Sequence, residues 1–114
     1  MSTIDPVTRR LRIYKEGGFV DDAQWLIDGV PADLSGYTLE GAMRPAYAAP
    51  DGEAVLFAFQ VLNATQGYFR KVLTEAQTAA LTWDAGVYDV RAVKAGAPTQ
   101  YLERGTVRVF PSAT

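Results

Sequence analysis

The stretch Gly86-Val87-Tyr88-Asp89-Val90-Arg91-Ala92-Val93 sets Tyr88, Val90 and Ala92 against Asp89 and Arg91 at a period of two. That period belongs to a β-strand with one covered face and one wet face. Lys94-Ala95-Gly96-Ala97-Pro98 supplies the turn residues that end it. Thr99 to Phe110 then alternates again, with Gly105, Val107 and Val109 on one face and Thr106 and Arg108 on the other.

Upstream the same grammar recurs in short pieces. Leu11-Arg12-Ile13-Tyr14 alternates before Lys15-Glu16-Gly17-Gly18, where two glycines permit positive φ. Phe19 to Ile27 follows and stops at Asp28-Gly29, a strong turn dipeptide. Asp33-Leu34-Ser35-Gly36 makes a second corner. From there Tyr37 to Arg44 places Leu39, Gly41 and Met43 on one side and Thr38, Glu40 and Arg44 on the other. Pro45 to Gly52 reads as the longest loop, because its prolines cannot donate to a ladder. Val55 to Leu62 is almost wholly apolar, which predicts a central strand covered on both faces, and an aggregation hazard were it at an edge. Tyr68 to Leu73 reads as its hairpin partner.

One segment is helical. Thr74-Glu75-Ala76-Gln77 opens with a capping box, Thr74 accepting from the Gln77 amide while the Gln77 side chain reaches back. A crossover helix over about 74–81 is predicted to carry the chain from one sheet to the other. Six or seven short strands, one small helix and no βαβ rhythm predict an all-β, antiparallel two-sheet sandwich. The expected organisation is a flexible arm over 1–8, one sandwich domain over 9–110 and a frayed end over 111–114.

Composition narrows the chemistry. The chain has 114 residues, 48% hydrophobic, with Cys 0 and His 0. Thiolate nucleophiles, imidazole bases and Cys/His zinc sites are therefore excluded. A formal net charge of -2 gives no global field toward nucleic acid or an anionic membrane. Met1 to Pro6 is polar and proline-broken and does not read as an export signal. Ala54 to Phe59 is far shorter than the ~20 apolar residues that cross a bilayer.

Several constellations have a plain structural reading beside a chemical one. Asp21-Asp22 with Asp51-Gly52-Glu53 could ligate Ca²⁺ if their loops met, but the spacing of a dedicated loop is missing and solvated turns are the expected reading. Asp84 and Asp89 could pair for acid/base work, yet no nucleophile accompanies them. Gly17-Gly18 lacks a following Gly-Lys-Thr and is a turn, not a phosphate cradle. Arg9, Arg10, Arg12 and Lys15 form a basic cluster around Tyr14, expected as a partner-facing edge strand. Arg44, Tyr47 and Asp51 in and beside the proline-rich loop are the second candidate contact, since an exposed loop aromatic suits an interface. Trp25 and Trp83 are the platforms a carbohydrate-binding sandwich would need.

The order of signals resembles small immunoglobulin-like structural proteins of tailed bacteriophages. Tyr14 to Phe19, Gly29 to Thr38 and Gly41 to Arg44 are similar to the family's opening half. Leu73 to Leu81, Gly86 to Val90 and Leu102 to Val109 are similar to its helix and last strands. The Asp33 to Gly36 corner is also similar to one in the N-terminal domains of baseplate upper proteins. The resemblance implies an immunoglobulin-like sandwich, no catalytic residue, no cofactor and no metal. Asp33, Gly36, Tyr37, Thr74, Gln77, Tyr88, Asp89 and Gly105 are implied fold positions. The implied role is a non-enzymatic virion component, made in the host cytoplasm and present in multiple symmetric copies that touch other virion proteins. A tail-tip, baseplate or fibre-attachment position is the first expectation. A head, neck or capsid-decorating protein and a carbohydrate-binding module are the alternatives. Neither nucleic acid nor membrane is expected as a partner, and host glycan is not favoured.

Overall fold

The computed structural model describes residues 7–111, so residues 1–6 of the expected arm over 1–8 and residues 112–114 of the expected frayed end lie outside them. The strands are β1 (Val7–Tyr14), β2 (Phe19–Gln24), β3 (Leu26–Ile27), β4 (Val30–Pro31), β5 (Thr38–Arg44), β6 (Val55–Leu56), β7 (Ala58–Asn63), β8 (Tyr68–Leu73), β9 (Ala85–Val93) and β10 (Gln100–Phe110). A five-stranded sheet runs β1-β10-β9-β5-β6, a three-stranded sheet runs β2-β8-β7, and β3 and β4 form a small ribbon. β1 takes in Val7 and Thr8, so the strand begins inside the expected arm.

Alternation in each strand sends its apolar residues to one interior. From the larger sheet come Leu11, Ile13, Met43, Tyr88, Val90, Ala92, Val107 and Val109, and from the smaller Phe69 and Leu73. Trp25, Leu34, Phe57 and Leu81 close the layer between them. This is an all-β sandwich.

Helix α1 (Glu75–Ala79) is shorter than the expected span and does carry the chain between the sheets, from β8 to β9. Thr74 Oγ1 accepts from the Gln77 amide at 3.1 Å, and Gln77 Oε1 accepts from the Thr74 amide at 2.9 Å. These bonds satisfy donors that every helix start leaves orphaned.

Three expectations are corrected. The larger sheet is mixed, because β1 runs parallel to β10, pairing Val7 with Glu103 and Tyr14 with Phe110. Alternation is the same for either strand direction, so it carries no information on this point. The apolar run Val55 to Leu62 is not central: β6 edges one sheet and β7 the other, with the switch at Phe57. Val55, Phe57 and Phe59 point inward in phase, while Leu56 is 66% and Leu62 45% exposed. The outward positions are apolar except Gln60, which hid the period. Lastly, positive φ after β1 falls on Glu16 (68°) and not on Gly17 or Gly18. The strain there is held by Lys15 N donating to Phe110 O at 3.0 Å and Gly17 N to Tyr14 O at 3.1 Å.

Candidate partner-binding face

Charged side chains on β1 and β10 divide by phase. Arg9 shares the phase of Leu11 and Ile13, so it turns toward the smaller sheet. Its guanidinium holds Asp21 with two bonds, 2.8 and 2.9 Å long. On β8, Lys71 lies between inward Phe69 and Leu73 and is fully buried. Lys71 Nζ reaches Asp21 Oδ2 at 2.7 Å and both oxygens of Glu103 at 3.1 Å. Tyr88 donates its hydroxyl to Glu103 Oε1 at 3.0 Å. Two cations and two carboxylates thus form a charge-balanced cluster that ties β1, β9 and β10 to β2 and β8.

Burial alone would push the Asp21 carboxyl up, but the bonds from Arg9 and Lys71 outweigh it and hold it below the ordinary carboxylate range. The Tyr88 phenol is pushed far up, first by burial and then by the adjacent Glu103 charge, so it stays a donor. The Arg9 guanidinium is therefore committed to Asp21 within the chain. Asp21 and Asp22 are not a loop pair either. They lie in β2 and face opposite ways, Asp22 bonding Arg70 on the outside at 2.7 Å. Among the described residues no group of three or more potential ligands could hold a metal ion.

The other phase of the larger sheet builds a different surface. Arg10 aligns with Thr106, Val87 and Arg44 across four strands, and Arg12 aligns with Arg108 and Ala85. Thr8, Arg104, Asp89 and Ala42 make the next row. With adjacent strands about 4.8 Å apart, Arg10 and Arg44 stand about 14 Å from each other at the backbone. The two candidate contact segments, widely separated in the chain, therefore share one face. Arg44 donates to Ala49 O at 3.1 Å and ties the loop to the sheet. Tyr47 is 50% exposed and packs under the Arg104 guanidinium, 4.9 Å from the ring centre. Asp51 opens a short 3₁₀ turn (Asp51–Glu53) beyond that loop. Tyr14 is exposed and stacks on Phe110 with centroids 5.2 Å apart.

The face carries Arg10, Arg12, Arg44, Arg91, Arg104 and Arg108 against Glu40 and Asp89, with Arg91 bonded to Glu40 at 2.9 Å. It is strongly basic in a chain of net charge -2. Asp84 and Asp89 are split between the approach to β9 and its outward face, with Asp89 opposite Arg104 and Ala42.

The remaining motif residues act locally. Asp33 Oδ1 accepts from the Ser35 amide at 2.8 Å, and Gly36 takes the positive φ (81°) that the corner requires. The Ser35 side chain first and its amide second hold the Asp33 carboxyl below the ordinary carboxylate range. Tyr37 meets Trp25 edge-on at 5.6 Å and lies 5.3 Å under Lys94 Nζ. Gly105 is required by close approach: a Cβ there would strike the Arg9 carbonyl of the paired strand. Trp25 is 6% exposed, so it offers no open ring face to a sugar.

Lys71, Glu103, Arg104 and Arg108 were missed as functional side chains. Their phase was readable, since Lys71 alternates with Phe69 and Leu73, and Glu103 with Gly105, Val107 and Val109.

This two-sheet frame has a solved counterpart. It is similar to the N-terminal domain of phage TP901-1 ORF48, with a TM-score of 0.61 over 92% of this chain and 89% of that one. Identity between the two is 12%, so the shared property is the fold. No family model and no curated protein matches the sequence.

Proposed function

We propose that the protein is a non-enzymatic structural component of a tailed-phage virion, an assembly module of the tail tip, baseplate or a fibre attachment. The observation that carries this reading is the fold shared with a phage protein domain along nearly the full length of both chains. The order of motifs from Tyr14 to Val109 supports it. The basic face supplies a surface for other virion proteins through Arg10, Arg12, Tyr14, Arg44, Tyr47 and the Asp51 turn. Symmetric multiplicity makes weak contacts at such a face sufficient, because linked sites raise avidity by about 10² to 10⁴.

The test is mass spectrometry of purified particles, with tails and capsids separated. A stoichiometric peptide yield in the tail fraction is expected. Recovery only from infected-cell lysate would overturn the virion role, and recovery with capsids would move the module to the head or neck.

A further inference from the structure

On the outer face of the larger sheet, Arg10, Arg12 and Arg108 wall a concavity of about 490 Å³. Its floor is Ala85 and Thr106, side chains too short to fill the space between the arginines, with the backbone of Gly86 beside them. Phe110 closes one end, backed by Tyr14.

Two features of this hollow are left unanswered among the described residues. Arg12 and Arg108 are direct register partners in the β1/β10 ladder, and like charges directly opposite destabilise a sheet. Elsewhere Arg9 is answered by Asp21, Arg70 by Asp22 and Arg91 by Glu40, and Arg104 lies over the Tyr47 ring. Arg10, Arg12 and Arg108 have no carboxylate at ion-pair distance among the described residues.

We propose that this concavity is a docking groove for an extended, acidic segment of a neighbouring virion protein, its carboxylates bound by Arg10, Arg12 and Arg108. This deepens the virion reading and rests on it for the partner's identity. The spacing fits. Arg10 and Arg12 are two positions apart on one strand, about 6.6 Å, which is also the distance between alternate side chains of an extended peptide. Guanidinium groups bind carboxylates through two parallel N–H donors, which fixes direction as well as charge. The Thr106 hydroxyl and the small floor leave room for the segment's backbone. A phosphodiester strand is the less suitable occupant, because the three arginines form a compact cluster and not a track along which a backbone of regularly spaced phosphates would run.

The experiment titrates an eight-residue peptide alternating Asp and Thr into the ¹⁵N-labelled protein at low salt. Its Lys–Thr counterpart and a single-stranded oligonucleotide serve as comparison ligands. Saturable binding of the acidic peptide, with amide shifts centred on Arg12, Gly86 and Thr106, is expected. Arg108→Glu should weaken it at least tenfold, whereas Lys94→Glu, the same charge change in a remote turn, should leave it within twofold. No binding by the wild type, equal loss in both variants, or tighter binding of the oligonucleotide would each overturn the groove. Particle incorporation separates the two readings. If the wild-type chain is stoichiometric in virions and Arg108→Glu enters them equally well, the groove is wrong and the virion role stands. If the wild-type chain is absent from virions, the virion role is wrong, and the titration still decides whether the groove binds carboxylates.

Discussion

Arg9 and Arg10 are neighbours in sequence and sit in opposite worlds. Arg9 points between the sheets, where it and Lys71 are balanced by Asp21 and Glu103, while Arg10 points out over Thr106 with no acid to answer it among the described residues. The same split recurs on β10, where Glu103 is buried and Arg104 and Arg108 are exposed. Residue type does not assign a role here; strand phase does. Inward charges are answered within the chain because an unpaired ion in low dielectric is costly. Outward charges can wait for a partner at little cost, since water solvates them.

The largest expected effect comes from breaking the inner set. Lys71→Met leaves Asp21 and Glu103 with only Arg9, and removing one member of a buried pair costs about 3 to 5 kcal/mol. The loss should lie near the low end, because Arg9 stays within 3.6 Å of Glu103. Urea unfolding measures it, and Lys71→Met/Glu103→Gln, which restores neutrality and keeps an acceptor for Tyr88, should recover at least half. Failure of that recovery would mean packing around Lys71, and not charge balance, sets the loss.

A second way into the same region is steric. Gly105→Ala drives a Cβ into the Arg9 carbonyl and should cost about 1 to 3 kcal/mol, as over-packing typically does. Thermal melts and proteolysis within β1 report it, and an unchanged melting point would show that β1 can back away without loss.

The third probe is acid. The Asp21 carboxyl is held below its unfolded value of about 3.9. A lowered folded pKa stabilises above that value, and the contribution is lost as pH falls below about 4 toward the folded pKa. Melting temperature against pH should therefore drop below about pH 4, and Asp21→Asn should flatten that limb. Equal slopes in the two proteins would remove Asp21 from the acid response.

The outer face should give the smallest effect on folding. Arg10→Glu with Arg12→Glu is expected to change stability by under about 0.5 kcal/mol, as surface substitutions do, while impairing incorporation into particles. A melting point many degrees lower would break the contrast between the two phases.

Much of this was legible from alternation alone. Tyr88, Val90 and Ala92 were read as one face and are all buried, and the Thr74 to Gln77 capping box needs only four consecutive residues. Arg9 shows where local reading stops. Its position between Leu11 and the arm puts it in the inward phase, but its partner Asp21 lies 12 positions away, and Lys71 and Glu103 are 32 apart. Knowing that these charges meet requires knowing that β1 lies parallel to β10 and that β8 crosses beneath. Likewise the basic face exists only once Arg108 is set beside Arg12, and the strand direction that does so leaves no mark in a two-residue period. The double sheet switch at Phe57 was concealed by apolar residues at solvent-facing Leu56 and Leu62.

The parallel ladder has a mechanical meaning. Val7 lies beside Glu103 and Phe110 beside Tyr14, so the first and last strands are anchored at opposite ends of their shared length, about 23 Å apart. Tension applied through those two ends would slide β1 along β10, and every bond of the ladder would resist together instead of unzipping one at a time. A module built this way resists a pull on its two ends more than one whose terminal strands peel away bond by bond.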